Sequence, residues 1–123
     1  MGFFRFQTHE VLKKGLTTVF DMGLGSEERI EIMASTGVRV YVAPASACAI
    51  WSTDNGHSVK YNWDEARGYA RLENAVQTFE KHNGTCGDRI RIALYPGQVD
   101  TCTPQFLRDV RTAADKTGMP IQI

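Results

Sequence analysis

The chain has 123 residues, enough for one domain around one core. Fourteen Lys and Arg balance fourteen Asp and Glu, and the charges are interspersed, so no net field or basic run draws the chain to nucleic acid or an acidic membrane. Hydrophobic residues make up 42%, an ordinary value for a globular protein, yet no apolar run is long enough for a bilayer span or a signal peptide. Cys48, Cys86 and Cys102 are widely spaced and odd in number, with neither zinc-ribbon spacing nor a disulfide framework. Reduced thiols in a soluble, cytoplasmic protein are therefore expected.

From the N-terminus, Gln7 to Lys14 reads as a helix stopped by Gly15. Thr17 to Asp21 is a short apolar, β-branched run of the kind that forms a buried strand. Ser26 is a suitable N-cap for a second helix, with Glu27 and Glu28 against the positive end of its dipole and Gly37 near its end. Val38 to Ala43 is the second strand. Asp54-Asn55-Gly56, between Ile50–Thr53 and Ser58–Tyr61, predicts a small hairpin.

A third helix, Trp63 to His82, places Ala66, Tyr69, Leu72, Val76 and Phe79 along one face, and Gly84 closes it. Ile90 to Leu94 is the third strand. Thr103 as N-cap and Pro104 at the first helical position start the fourth helix. Its apolar stripe is Phe106, Leu107, Val110, Ala113 and Ala114, ended by Gly118 and Pro120. Ile121 to Ile123 is the fourth strand.

Strands alternating with helices imply parallel pairing through crossover helices. The strand-to-helix links are the longer ones, above all residues 44–62, and such links carry the sites of parallel α/β folds. Four parallel strands do not close an eight-stranded barrel. The chain begins on a helix and stops on a strand, so its boundaries read as cut from a longer fold.

Three stretches carry a resemblance to a known family. They are Lys14-Gly15-Leu16-Thr17-Thr18-Val19-Phe20-Asp21-Met22, Thr36 through Pro44, and Pro96 through Leu107 with its Thr101-Cys102-Thr103-Pro104 turn. Together with Met119 through Ile123, their order resembles the second to fifth barrel strands of the amidohydrolase superfamily, in particular its cytosine-deaminase-like and triazine-hydrolase-like members.

The resemblance implies an α/β fold, a partial (β/α)8 TIM barrel over residues 1–123, with about four parallel strands, alternating helices and an insertion at about 44–62. It implies a parent enzyme that hydrolyses a C–N or related bond of a small cyclic or amide compound with a divalent metal (zinc, iron or manganese). In the family the metal is held by a His-x-His pair on the first strand, histidines on the fifth and sixth, and an Asp on the eighth. The chain has only His9, His57 and His82, and none lies in such a motif. By itself it is expected to bind no metal and to be inactive, supplying scaffold and substrate loops. Deaminase relatives often carry a His after the proline of the fourth-strand loop, where this chain has Gly97. An oligomer or a complementing chain is compatible with this reading, as is a free-standing α/β module with helices on both faces of an open sheet.

The candidate substrate contacts are Gln98 and Asp100, in the loop after the third strand, and Trp51, which with Tyr61 and Trp63 could form an apolar wall on the hairpin. The structural alternatives are hydrogen bonds within the loop and a satellite core under the hairpin. Asp21 could face a site from its strand end, but more simply bonds the following Gly-rich turn. His57 reads as a solvated loop residue, His9 and His82 as surface residues, and Cys102 as packing beneath its loop. Gly23-Leu24-Gly25-Ser26 matches neither a P-loop nor the dinucleotide fingerprint.

Overall fold

The computed structural model describes residues 2–23 and 25–123, with side chains from residue 5 onward; Leu24 of the Gly-rich turn lies outside the described residues. In chain order the elements are α1 (Gly2–Lys13), β1 (Thr18–Gly23), α2 (Glu27–Thr36), β2 (Arg39–Pro44), β3 (Ala49–Ser52), β4 (Lys60–Trp63), α3 (Glu65–His82), α4 (Thr85–Asp88), β5 (Ile90–Ile92), a 3₁₀ turn (Val99–Thr101) and α5 (Pro104–Thr117). Helix α4 is one irregular turn, with Cys86 and Gly87 in left-handed conformations.

Strands β1, β2 and β5 form a parallel sheet in that order, with Thr18 opposite Arg39 and Val40 opposite Ile90. Chain order equals spatial order, as in a barrel wall. The expected fourth strand is reduced to a parallel bridge between Leu94 and Ile121, held by Leu94 N–H to the Pro120 carbonyl at 2.9 Å and Gln122 N–H to the Leu94 carbonyl at 2.9 Å. The third strand stops at Ile92 instead of Leu94, but its pairing direction continues through a bridge between Ala45 and Tyr95.

Alternation along the strands sends every second side chain to the same face. Val40, Val42, Ile90, Ile92 and Leu94 form one buried cluster with Ile30 and Met33 of α2, Leu72 and Ala75 of α3, and Phe106, Val110 and Ala114 of α5. The intervening Phe20, Met22 and Tyr41 are exposed. Helices thus cover one sheet face and leave the other bare at these side chains. An open sheet covered on both faces, the expectation for a free-standing module, is not what forms.

Helix starts and stops follow local chemistry. Thr103 caps α5 by accepting from Phe106 N–H at 3.2 Å, with Pro104 in its first turn. The stripe of α5 is as the spacing predicts, with Leu107 and Ala113 packed against the core beside the three buried residues. Helix α3 differs. It starts at Glu65, capped by Asp64, whose carboxylate accepts from Arg67 N–H at 3.0 Å, because Trp63 is taken by the last position of β4. Its buried residues are Gly68, Leu72 and Ala75, with Val76 and Phe79 partly buried, while Ala66 and Tyr69 are exposed. The buried stripe is turned toward Gly68 because this glycine lets the helix approach Cys48: a Cβ on Gly68 would lie 2.6 Å from its Sγ.

Candidate functional site

The loops after β2 and β5 meet at the C-terminal end of the sheet. Ser46 N–H donates to the Tyr95 carbonyl at 2.9 Å, and Cys48 N–H to the Thr101 carbonyl at 3.0 Å. Cys102 lies buried beneath this junction, its thiol 2.8 Å from the Pro96 carbonyl. Burial pushes the Cys48 and Cys102 thiols above the ordinary thiol range, so neither is an activated nucleophile. The packing role read for Cys102 is the observed one.

Gly97 opens the loop after β5 at φ +86°, and a Cβ there would stand 3.1 Å from the Ala47 Cβ. Glycine thus fits both the left-handed backbone and the close approach of the neighbouring loop. Thr101 closes the 3₁₀ turn from within: its hydroxyl donates to the Gln98 carbonyl at 2.8 Å and accepts from Gln98 N–H at 3.3 Å. The backbone of Gln98 is thereby fixed while its side chain stays exposed, as does that of Asp100.

The hairpin pairs Ala49 with Trp63 and Trp51 with Tyr61, so its outer ends lie one position earlier and two positions later than the turn signal suggests. Strand periodicity puts Trp51, Tyr61 and Trp63 on one face. Tyr61 and Trp63 stack with ring centroids 6.2 Å apart, and the Tyr61 hydroxyl donates to the Asp100 carboxylate at 2.6 Å. That bond, above all, holds the phenol above its ordinary pKa, because ionisation would remove the donated proton and set two anions together. The structure therefore brings Trp51, Tyr61, Trp63 and Asp100 to one rim. All three rings remain exposed, so they do not form a satellite core.

The other candidates separate from this rim. Asp21 points toward the helix layer and pairs with Arg29 at 2.9 Å, replacing the expected bond to the Gly-rich turn, because α2 brings a guanidinium across the strand. His57 is exposed at the hairpin tip, where its backbone N–H donates to the Asn55 side chain at 2.9 Å. His9 is exposed on α1. His82 corrects its reading as a plain surface residue: its side chain is only 16% exposed and lies 3.5 Å from Glu27. The Glu27 carboxyl is held below its ordinary range first by Lys81 and then, more weakly, by His82. Sequence spacing alone did not reveal Arg67, near the start of α3, whose Nε and Nη2 are buried without a hydrogen-bond partner.

Among the described residues no group of three or more His, Cys, Asp or Glu is placed to hold a metal ion, and no helix is long and apolar enough to cross a membrane. These side chains do not fit a metal centre.

No family model matches the chain. It is 28% identical over 114 residues to the 5-methylthioadenosine/S-adenosylhomocysteine deaminase of Carboxydothermus hydrogenoformans, covering 93% of this chain and 23% of that protein. It is 26% identical over 114 residues to the 5'-deoxyadenosine deaminase of Methanosarcina barkeri, with the same coverage of 93% and 23%. Guanine deaminase from C. acetobutylicum, solved with bound guanine, superposes with a TM-score of 0.70 at 12% identity, over 94% of this chain and 26% of that one. A triazine hydrolase variant superposes at 0.68 and 18% identity, over 96% and 27%. The chain resembles part of an amidohydrolase-superfamily deaminase. It spans about a quarter of the length of these relatives, and the partial (β/α)8 barrel is its fold. Relatives of this kind are generally metal-dependent.

Proposed function

We propose that residues 1–123 are one barrel segment, with an insertion at about 44–62, of a metal-dependent amidohydrolase that cleaves a C–N bond of a small compound. The observation that carries this reading is the one-sided sheet: helices pack on Val40, Val42, Ile90 and Ile92, while Phe20, Met22 and Tyr41 face a space that further barrel strands would close. Trp51, Gln98 and Asp100 are the substrate contacts, because they stand exposed where parallel α/β folds place their sites. The metal, whether zinc, iron or manganese, is held in the whole enzyme by residues other than those described here. A cytoplasmic location completes the proposal.

A segment swap tests it. The stretch of the Carboxydothermus deaminase that matches this chain is replaced by residues 1–123. The chimera is expected to keep the parent's metal stoichiometry and to lose part of its preference among substrates. Trp51→Ala and Asp100→Ala in the chimera are expected to lower kcat/KM by about tenfold each, close to 1.4 kcal/mol, with metal content unchanged. A chimera without metal, or variants that leave kcat/KM untouched, would overturn the segment reading and the contact assignment respectively. The 123-residue chain alone should turn over no substrate when supplied with zinc, manganese or iron.

A further inference from the structure

Burial changes abruptly at the root of the hairpin. Cys48 and Ala49 are 0% and 3% exposed, and every residue from Ile50 to Glu65 is exposed. Within this arm the tip is tied to itself: Thr53 Oγ1 accepts from Gly56 N–H at 2.9 Å, the Asn55 side chain accepts from the N–H groups of His57 and Ser58 at 2.9 Å, and Lys60 pairs with Asp54. A unit held by its own bonds moves as one body.

Its attachments are few. At the root, Cys48 N–H reaches the Thr101 carbonyl at 3.0 Å and Asp64 N–H reaches the Cys48 carbonyl at 2.6 Å. Further out, the Tyr61–Asp100 bond of 2.6 Å connects the arm's own side chains to the loop after β5. The arm faces that loop with Trp51, Tyr61 and Trp63, rings that water solvates poorly and that gain by being covered.

We propose that the β3–β4 hairpin is a lid hinged at Cys48 and Asp64 and latched by the hydrogen bond from Tyr61 to Asp100. Latched, the lid holds its aromatic face beside the 3₁₀ turn. Unlatched, it swings as a body away from the loop of Gln98 and Asp100, both of which are already exposed in the latched state. The latch depends only on the chain's own geometry and stands apart from the hydrolase reading.

Trp51 and Trp63 are the chain's only tryptophans, so their emission, excited where tyrosine does not absorb, reports the arm alone. In time-resolved anisotropy of the 123-residue chain, Tyr61→Phe and Asp100→Ala are each expected to raise the amplitude of nanosecond depolarisation about twofold, the timescale of loop motion. The double variant should add nothing further, because both changes break one bond. Asp100→Asn keeps an oxygen acceptor for the phenol and should match the unaltered chain. Unchanged anisotropy in both Tyr61→Phe and Asp100→Ala overturns the latch. So does a drop in Tm of more than about 3 °C in either, which would make the bond part of the fold's stability.

Discussion

Phe20 and Tyr41 stack on neighbouring parallel strands with ring centroids 5.8 Å apart and planes 10° from parallel, and both rings face away from the helices. An aromatic pair gains about 0.5–1.5 kcal/mol beyond the area it covers. Here much of that area is still in contact with water. The stack marks the sheet surface that would line the interior of a closed barrel.

This surface should make the chain associate with itself or bind apolar dyes. On size-exclusion chromatography, apparent mass is expected to rise with concentration, and dye fluorescence should exceed that of a compact domain of equal size. Phe20→Ser with Met22→Lys should reduce both effects and lower Tm by only a few degrees, the loss of the Phe20–Tyr41 stack, because neither side chain enters the helix-covered core. A monomer indifferent to concentration and blind to the dye would refute a bare face.

At Gly68, α3 sits against Cys48 so closely that an added Cβ meets Sγ at 2.6 Å and the Cys48 Cα at 3.2 Å. Gly68→Ala should therefore destabilise by about 1–3 kcal/mol, the usual cost of overpacking, despite alanine's better helix propensity. Cys48→Ala removes the sulfur and should recover part of that loss in the double variant. Urea titrations of the four proteins give the coupling. Additive losses would mean that the contact with Cys48 is not the cause.

Thiol chemistry should separate the cysteines. Cys86 is exposed, whereas Cys48 and Cys102 are buried and their thiols are raised by desolvation. One of the three should react rapidly with a disulfide reagent at neutral pH, and the other two only on the timescale of unfolding. Mass spectrometry after a short pulse should find the label on Cys86. Early labelling of Cys102 would contradict its packed position.

Tyr69 hydrogen bonds to Asp109 at 2.7 Å, and this bond pushes its pKa up to about 12, aided by partial desolvation and the carboxylate's charge. The folded value lies above the unfolded value near 10. Its contribution is therefore fully present below pH 10 and is lost as pH rises toward about 12. Ultraviolet titration should show one tyrosine ionising near that upper limit, and Tyr69→Phe should abolish that step. Ionisation of Tyr69 with an ordinary midpoint would show that the bond to Asp109 does not hold in solution.

The sequence alone determined the order of elements, the parallel arrangement and the α5 stripe. These follow from local signals: Thr103 with Pro104, Gly37 and Gly118 as left-handed helix ends, and β-branched runs such as Val38 to Ala43. The rotation of α3 was not legible, because its burial depends on how closely Gly68 approaches a cysteine twenty residues away in the chain. Nor was the partner of Asp21, since Arg29 reaches it only after α2 folds back across β1. The rim was legible as residue types, with Trp51, Gln98 and Asp100 standing in strand-to-helix loops. Only the tertiary structure joined Tyr61 to Asp100 across 39 positions and showed which sheet face the helices leave uncovered. Helix and turn signals act within a few residues, whereas the direction a side chain faces is settled by the packing of distant segments.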